Sequence, residues 1–284
     1  MSPSPSAALG WYQRFARDYV VSAWSGARRR SDFESVASYV MFIGHARSGS
    51  TLVGSLLDAH PDAVLAHELD ALRYVRWGVR REQLFQLILE SDRRFTEQRS
   101  SRTQQGYSFE VSGMWQGRFR QLVVVGDKHA GTSTRTLRSH PDLLDKVRQL
   151  VGVPLRLIHV VRNPWDNIAT IAKRSDRELA VATRSYFRRC ETIQTIKARA
   201  TDDTLSLRHV RHEAVMGEPK ATLAELCRFV GLEPADDYLA ACDAIVYETP
   251  HRSRKDASWT DELVEDIGRQ AAGFDFLAGY SFDE

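Results

Sequence analysis

Apolar residues in this 284-residue chain fall in short runs broken by polar, Gly- or Pro-bearing stretches. Tyr39–Gly44 (YVMFIG) is a β-rich run ending in Gly, the pattern of a strand buried on both faces. A tight polar loop follows, and then Thr51–Ala59, where Leu52, Leu56 and Leu57 recur at helical spacing before His60-Pro61. Gln121–Val125 and Leu155–Val161 are two more strand-type runs, giving way to Gly126-Asp127-Lys128 and Arg162-Asn163-Pro164. Pro164 suits the first turn of a helix. Asp176–Ala200 carries Leu179, Thr183, Tyr186, Cys190, Ile193 and Ile196 on one stripe and predicts a long helix. Thr204–Val210 predicts a fourth strand and Pro219–Val230 another helix. Strands alternating with helices predict an α/β fold, a parallel β-sheet flanked by helices, whose ligands bind beyond the carboxyl ends of the strands. Residues 1–38 read as an N-terminal arm with an amphipathic helix. Trp11, Phe15 and Trp24 are expected near one stripe of it, packing onto a domain that spans 39–284.

Composition narrows the class. With 43% hydrophobic and 27% charged residues the chain has enough apolar content for one sizeable core, which excludes wholesale disorder. No apolar run approaches the length of a membrane span, and none is expected. Cys190, Cys227 and Cys242 are few, odd in number and without metal-ligand spacing, so free buried thiols in a reducing cytoplasm are expected. Arg far outnumbers Lys, and the start lacks a basic region followed by an apolar stretch, which together suggest a bacterial cytoplasmic protein. A net charge of +2 gives no signature of a nucleic-acid partner. Charge is nonetheless uneven: Ala71–Arg120 holds ten arginines against five carboxylates, which suits either an anionic ligand or a solvated helix face.

The first candidate chemistry is in the loop Gly44-His-Ala-Arg47-Ser48-Gly49-Ser50-Thr51. A Gly-rich turn between a strand and a helix presents backbone N–H groups and the positive end of the helix to an anion. The spacing matches G-x-x-x-x-G-K-[ST] except that Ser50 stands where the Lys belongs, and the loop's cation is Arg47. No Asp that would hold a metal follows a later strand, since Leu155–Val161 runs into Arg162. An anionic ligand other than Mg-ATP is expected. A Gly-Ser turn that only caps a helix is the bland alternative.

The stretch FIGHARSGSTLVGSLLDAHPD resembles the 5′-phosphosulfate loop of the sulfotransferases that use PAPS (3′-phosphoadenosine-5′-phosphosulfate), with most similarity to the protein-tyrosine branch. VVRNPWDNIAT resembles that family's 3′-phosphate motif. There, an Arg at a strand end and a hydroxyl on the following helix hold the phosphate; here Arg162 and Thr170 take those places. The resemblance runs in order from about Tyr39 to Gly231. It implies a P-loop NTPase-like sulfotransferase fold and PAPS as sulfuryl donor, with no metal. Arg47, Ser48, Gly49, Ser50 and Thr51 are then the 5′-phosphosulfate cradle.

Sulfuryl transfer needs a base for the acceptor proton and cations for the charge on the leaving oxygen. By the resemblance, Glu68, 21 residues after Arg47, is the base. Burial would raise its pKa and Arg47 would lower it. Lys128, at a strand end, is the cation on the transferring group, shared with Arg47. His129 is the alternative base, since another branch of the family uses a His beyond a similar Lys. Adjacent residues on a strand point to opposite sides, so Lys128 and His129 are not expected to face the same atom. Arg252, Arg254 and Lys255 form a late basic segment that either covers the 3′-phosphate or stays solvated. Trp115, Trp165 and Tyr247 read as core before nucleotide stacking, and His60, His159 and His209 as caps or core. The acceptor is a small molecule, a peptide or a saccharide, its pocket expected from Leu69–Gly117. The rival functions are a kinase-type phosphotransferase on the same fold, which the missing loop Lys disfavours, and a non-catalytic nucleotide-binding protein.

Overall fold

A computed structural model describes residues 5–98, 103–104, 107–247 and 251–283, the side chains of 5–14, 103, 104 and 107 excepted. In chain order the elements are α1 (Pro5–Arg28), β1 (Ser38–Gly44), α2 (Ser50–Asp58), β2 (Ala63–His67), α3 (Ala71–Arg76) and α4 (Arg81–Glu97). A small hairpin, β3 (Thr103–Gln104) and β4 (Tyr107–Ser108), precedes β5 (Val124–Lys128), α5 (Ala130–Ser139), α6 (Leu143–Val151) and β6 (Leu155–Val161). Then come α7 (Pro164–Ser175), α8 (Leu179–Arg199), β7 (Leu205–Arg211), α9 (His212–Gly217), α10 (Pro219–Val230), α11 (Asp236–Asp243), a 3₁₀ turn (Ser253–Asp256) and α12 (Asp261–Ala271).

Five strands form one parallel sheet in the order β2-β5-β1-β6-β7. The central strand β1 is buried along its whole length. Its side chains alternate: Tyr39, Met41 and Ile43 enter a core with α4, α6, α8 and α12, and Val40 and Phe42 enter a core with α2, α10 and α11. A strand covered on both faces reads as a continuous apolar run, which is why β1 and β6 were visible in the sequence. Their parallel direction brings all the strand ends, and the polar residues that follow them, to one edge of the sheet.

Four details differ from the sequence reading. The strand expected over Gln121–Val125 is Val124–Lys128. The residues before it are tied to a loop instead, Arg120 N–H to Pro61 O at 2.7 Å and Val123 N–H to Asp62 O at 3.0 Å. The ladder then continues through polar Asp127 and Lys128, whose charges find partners below. The run Ala63–Ala66 is a fifth sheet strand, and the helix expected from Asp176 starts at Leu179 because Asp176 ends α7 in a left-handed conformation, φ 49°. On α1, Phe15 packs on Tyr74 and Trp77, while Trp24 is 62% exposed beneath Arg28. Nine residues at about 3.6 per turn put Phe15 and Trp24 half a turn apart, so they do not share a stripe. The Trp11 side chain lies outside the described residues. All three cysteines are free and buried, and no helix of the described residues is long and apolar enough to cross a membrane.

Candidate active site

A cleft of about 2020 Å³ opens along the carboxyl edge of the sheet. A drug-sized pocket is roughly 300–1,000 Å³, so this one has room for two substrates side by side. Arg47, Gly49, Ser50, Thr51, Glu68 and His129 line one part of it, and Arg162, Thr170 and Ser253 another.

The loop after β1 turns on residues that need a left-handed backbone. Gly44 has φ 126°, Arg47 65° and Gly49 94°. A side chain at Gly44 would press on the His159 ring, and one at Gly49 would collide with the His212 ring. The loop is pinned from outside: Asn167 Nδ2 donates to Ala46 O at 2.9 Å and Gly44 N–H to Thr134 Oγ1 at 2.7 Å. Ser50 and Thr51 open α2 at the cleft. Ser48 is different, because its buried hydroxyl donates to His45 O at 3.0 Å, inside the loop.

Lys128 is the last residue of β5 and its side chain is 3% exposed. Its Nζ reaches Glu68 Oε1 at 2.9 Å, Thr51 Oγ1 at 3.1 Å and His67 Nε2 at 3.2 Å. Gly54 on α2 makes the passage, since any Cβ there would sit 2.7 Å from Lys128 Cγ. Burial lowers the Lys128 ammonium pKa, against the pull of Glu68 and Asp127. Glu68 keeps half its side chain in solvent. Burial alone would raise its carboxyl, but the Lys128 ammonium, helped by His129 and His67, outweighs this and holds it below its ordinary value. Lys128 leads the downward pull, and Arg47, the cation expected from the sequence, also interacts with the Glu68 charge.

Sequence reasoning missed Asp127. Its fully buried carboxylate accepts from Leu69 N–H at 3.0 Å and Ala71 N–H at 2.8 Å, fixing the turn that carries Glu68 at φ 63° and Asp70 at φ 65°. Burial lifts its pKa to about 6 despite those two donors. An Asp before the strand-end Lys was the only trace of this in the sequence. His129 also differs from expectation, since it lines the same cleft as Glu68. The strand ends at Lys128 and His129 is already the N-cap of α5, so the alternation rule no longer applies to it. Its Nδ1 is buried without a hydrogen-bond partner.

At the other part of the cleft, Arg162 follows β6. Its guanidinium donates to His251 O at 2.5 Å, Ser253 Oγ at 3.1 Å, Arg47 O at 3.2 Å and Thr170 Oγ1 at 3.3 Å. Its Nε is buried and unpartnered. Arg162 therefore touches the backbone of the first loop, and the two expected anion pockets belong to one crevice. Asn163 caps α7, accepting from Trp165 N–H at 3.1 Å, so the helix starts at Pro164 as the sequence predicts.

The late basic segment divides. Arg252 lines the cleft. Arg254 is buried and bound to Asp166, by its backbone N–H at 2.8 Å and its Nη1 at 2.5 Å. That pair holds the turn so that Ser253 Oγ meets Thr170 Oγ1 at 2.9 Å. Ser253 and Asp166 were not singled out from the sequence, because nothing local marks a contact 83 or 88 residues away. Trp165 is core and Tyr247 is exposed at the cleft. Of the described residues in Leu69–Gly117 only Phe109 lines the cleft, and arginines of that stretch such as Arg94 and Arg120 pair with Glu90 and Asp62 outside it.

The parallel sheet, the Gly-rich loop at its centre and a cation at each part of the cleft define an α/β protein with a basic cleft along the carboxyl edge of its sheet. Residues 40–237 match the profile of the Sulfotransferase family, and the chain belongs to that family. No curated protein matches it. Among solved structures it resembles the sulfotransferase domain of the olefin synthase from Synechococcus PCC 7002, with TM-score 0.53 and 16% identity over 84% of this chain and 94% of that one. It resembles equally the sulfotransferase domain from the curacin biosynthetic pathway, with TM-score 0.53 and 15% identity over 84% and 97%. At such identity these two likenesses speak for the fold.

Proposed function

We propose that the protein transfers a sulfuryl group from PAPS to a hydroxyl or amine of an acceptor. When bound, PAPS supplies an activated sulfuryl group on a good leaving phosphate. The observation that carries this reading is Arg162: a buried guanidinium with an orphaned Nε, met only by carbonyl and hydroxyl oxygens, and bound to the backbone of the loop that precedes α2. No carboxylate among the described residues hydrogen-bonds it, though Asp166 and Glu213 act on it through space, and Thr170 and Ser253 are neutral partners that suit a phosphate beside it. The N–H groups of Gly49, Ser50 and Thr51, with Arg47, suit the 5′-phosphosulfate. The Ser48 side chain, turned inward, contributes shape and not contact.

Glu68 takes the acceptor proton on its carboxylate. Lys128, 2.9 Å from that carboxylate, supplies the positive charge for the oxygen that leaves the sulfur. The two are matched: as the ammonium turns from Glu68 toward the leaving oxygen, Glu68 loses the interaction that weakens it as a base. Asp127 orients the Glu68 turn without touching substrate. Titration calorimetry with adenosine 3′,5′-bisphosphate and with Mg-ATP tests the donor site. Tighter binding of the bisphosphate is expected, and tighter binding of Mg-ATP would replace this reading with a phosphotransferase. Incubation with labelled PAPS and a panel of phenols, sugars and lipids, followed by mass spectrometry, tests the transfer itself.

A further inference from the structure

The wall of the cleft where α7 turns into α8, beside α5, is lined by Arg135, Arg174, Arg177 and Arg189. Among the described residues none of the four is in an ion pair. Among the described residues three carboxylates line the cleft: Glu68, Glu178 and Asp256. Glu68 is held by Lys128, Asp256 lies 3.7 Å from His251, and Glu178 is exposed and in no ion pair. Arg189 is half-buried. Its Nη1 donates to Ser185 O at 2.9 Å and Ser185 Oγ at 2.6 Å, while its Nε is buried with no partner. Burial and the neighbouring charges of Arg135, Arg138 and Arg177 all disfavour its charged form. Like charges gathered on one wall, with Arg189 half-buried and the other three exposed, repel one another, and an oxyanion placed among them reverses the sign of that energy. The planar guanidinium fork matches such a group with two parallel hydrogen bonds.

The donor's two anionic ends already have their partners in the Arg47 loop and in Arg162 with Thr170. The arginine wall is a third positive region, and the cleft has the volume for a second molecule. It is also placed for an acceptor. α5 begins one residue after His129, and at about 1.5 Å per residue Arg135 lies roughly 9 Å along the helix from it. We propose that Arg135, Arg177 and Arg189 form an oxyanion subsite for the acceptor, so that the molecule receiving the sulfuryl group already carries a phosphate, sulfate or carboxylate at a position remote from its reacting atom. This rests on the sulfotransferase reading above.

The test is a calorimetric titration of protein saturated with adenosine 3′,5′-bisphosphate, so that the donor pockets are filled. Inorganic phosphate and acetate are separate titrants, at an ionic strength fixed with NaCl. Saturable binding of phosphate points to a phosphate- or sulfate-bearing acceptor, and of acetate to a carboxylate-bearing one. Either is expected to weaken at least fivefold in Arg189→Gln and in Arg135→Gln, with bisphosphate affinity changed less than twofold. Absence of saturable anion binding to the saturated protein, or equal binding by the variants, overturns the subsite alone. A bisphosphate affinity that falls with these substitutions assigns the arginines to the donor and overturns it too. If the wild-type protein does not bind the bisphosphate, the donor reading falls and the subsite with it.

Discussion

The two ends of the cleft treat positive charge in opposite ways. At β5, Lys128 is buried and met by a carboxylate, Glu68, that itself reaches solvent. At β6, Arg162 is also buried but is met by two carbonyls and two hydroxyls. Close by, Arg254 is buried to a similar depth and bound through Nη1 to the buried carboxylate of Asp166, its Nη2 having no hydrogen-bond partner among the described residues. The partner decides the use. A buried cation closed off by a buried carboxylate has spent its charge on the fold. One that hydrogen-bonds only neutral oxygens has no carboxylate to displace before an anionic ligand. One paired with a solvent-facing acid is able to exchange that partner for substrate.

The comparison breaks most visibly at Glu68. Glu68→Gln is expected to lower kcat by about 10²–10⁴, with bisphosphate affinity little changed. If kcat survives that change and collapses in His129→Asn, the base is His129 and the Lys128–Glu68 pair is structural. Arg254→Met, which strands the buried Asp166, is expected to cost about 3–5 kcal/mol in urea unfolding. Asp166→Leu added to it should restore much of that loss, and a single variant as stable as wild type would show that the pair does not hold the turn. Arg162→Ala is expected to weaken bisphosphate binding by roughly 10- to 100-fold, the worth of about 1.5–3 kcal/mol for a hydrogen bond to a charged group. An unchanged affinity would erase the contrast between Arg162 and Arg254.

A different kind of effect is that of pH on stability. Burial lowers His45 to about 3, and His209 and His212 to about 4, from an ordinary value of 6.5. A depressed folded-state value means the unfolded chain takes up these protons first. Stability is therefore lost as pH falls from 6.5 toward 4, by at most about 1.4 kcal/mol per unit for each group. Asp127 works the other way: at about 6 in the fold against an ordinary 3.8, its contribution is lost as pH rises between those values. Three groups outweigh one, so urea midpoints measured from pH 7 to pH 5 should fall, and a flat or rising series would contradict the burial of these histidines.

The legible parts of the protein were local in sequence. β1 with its loop and α2, and β6 with the start of α7, each pack their signal into a dozen residues: an apolar run, a Gly or Pro at a required backbone angle, and a hydroxyl or cation at a fixed offset. The same locality marked Arg47, Thr51, Arg162 and Thr170 as candidates, and all four line the cleft. β5 was misplaced because Asp127 and Lys128 do not look like strand residues, and only a carboxylate from β2's end and the N–H groups of the next turn make them so.

From its own pattern, then, the chain determined an alternating α/β architecture and two polar turns at strand ends, since short-range sterics and hydrophobic periodicity act within a few residues. Which cation stays available for a ligand was decided only by tertiary structure. Charge compensation depends on contacts across the fold: Glu68 with Lys128 and Asp166 with Arg254, while Arg135, Arg177 and Arg189 are brought together as like charges. The energy of a buried charge is set by whatever packs against it, which spacing along the chain does not record.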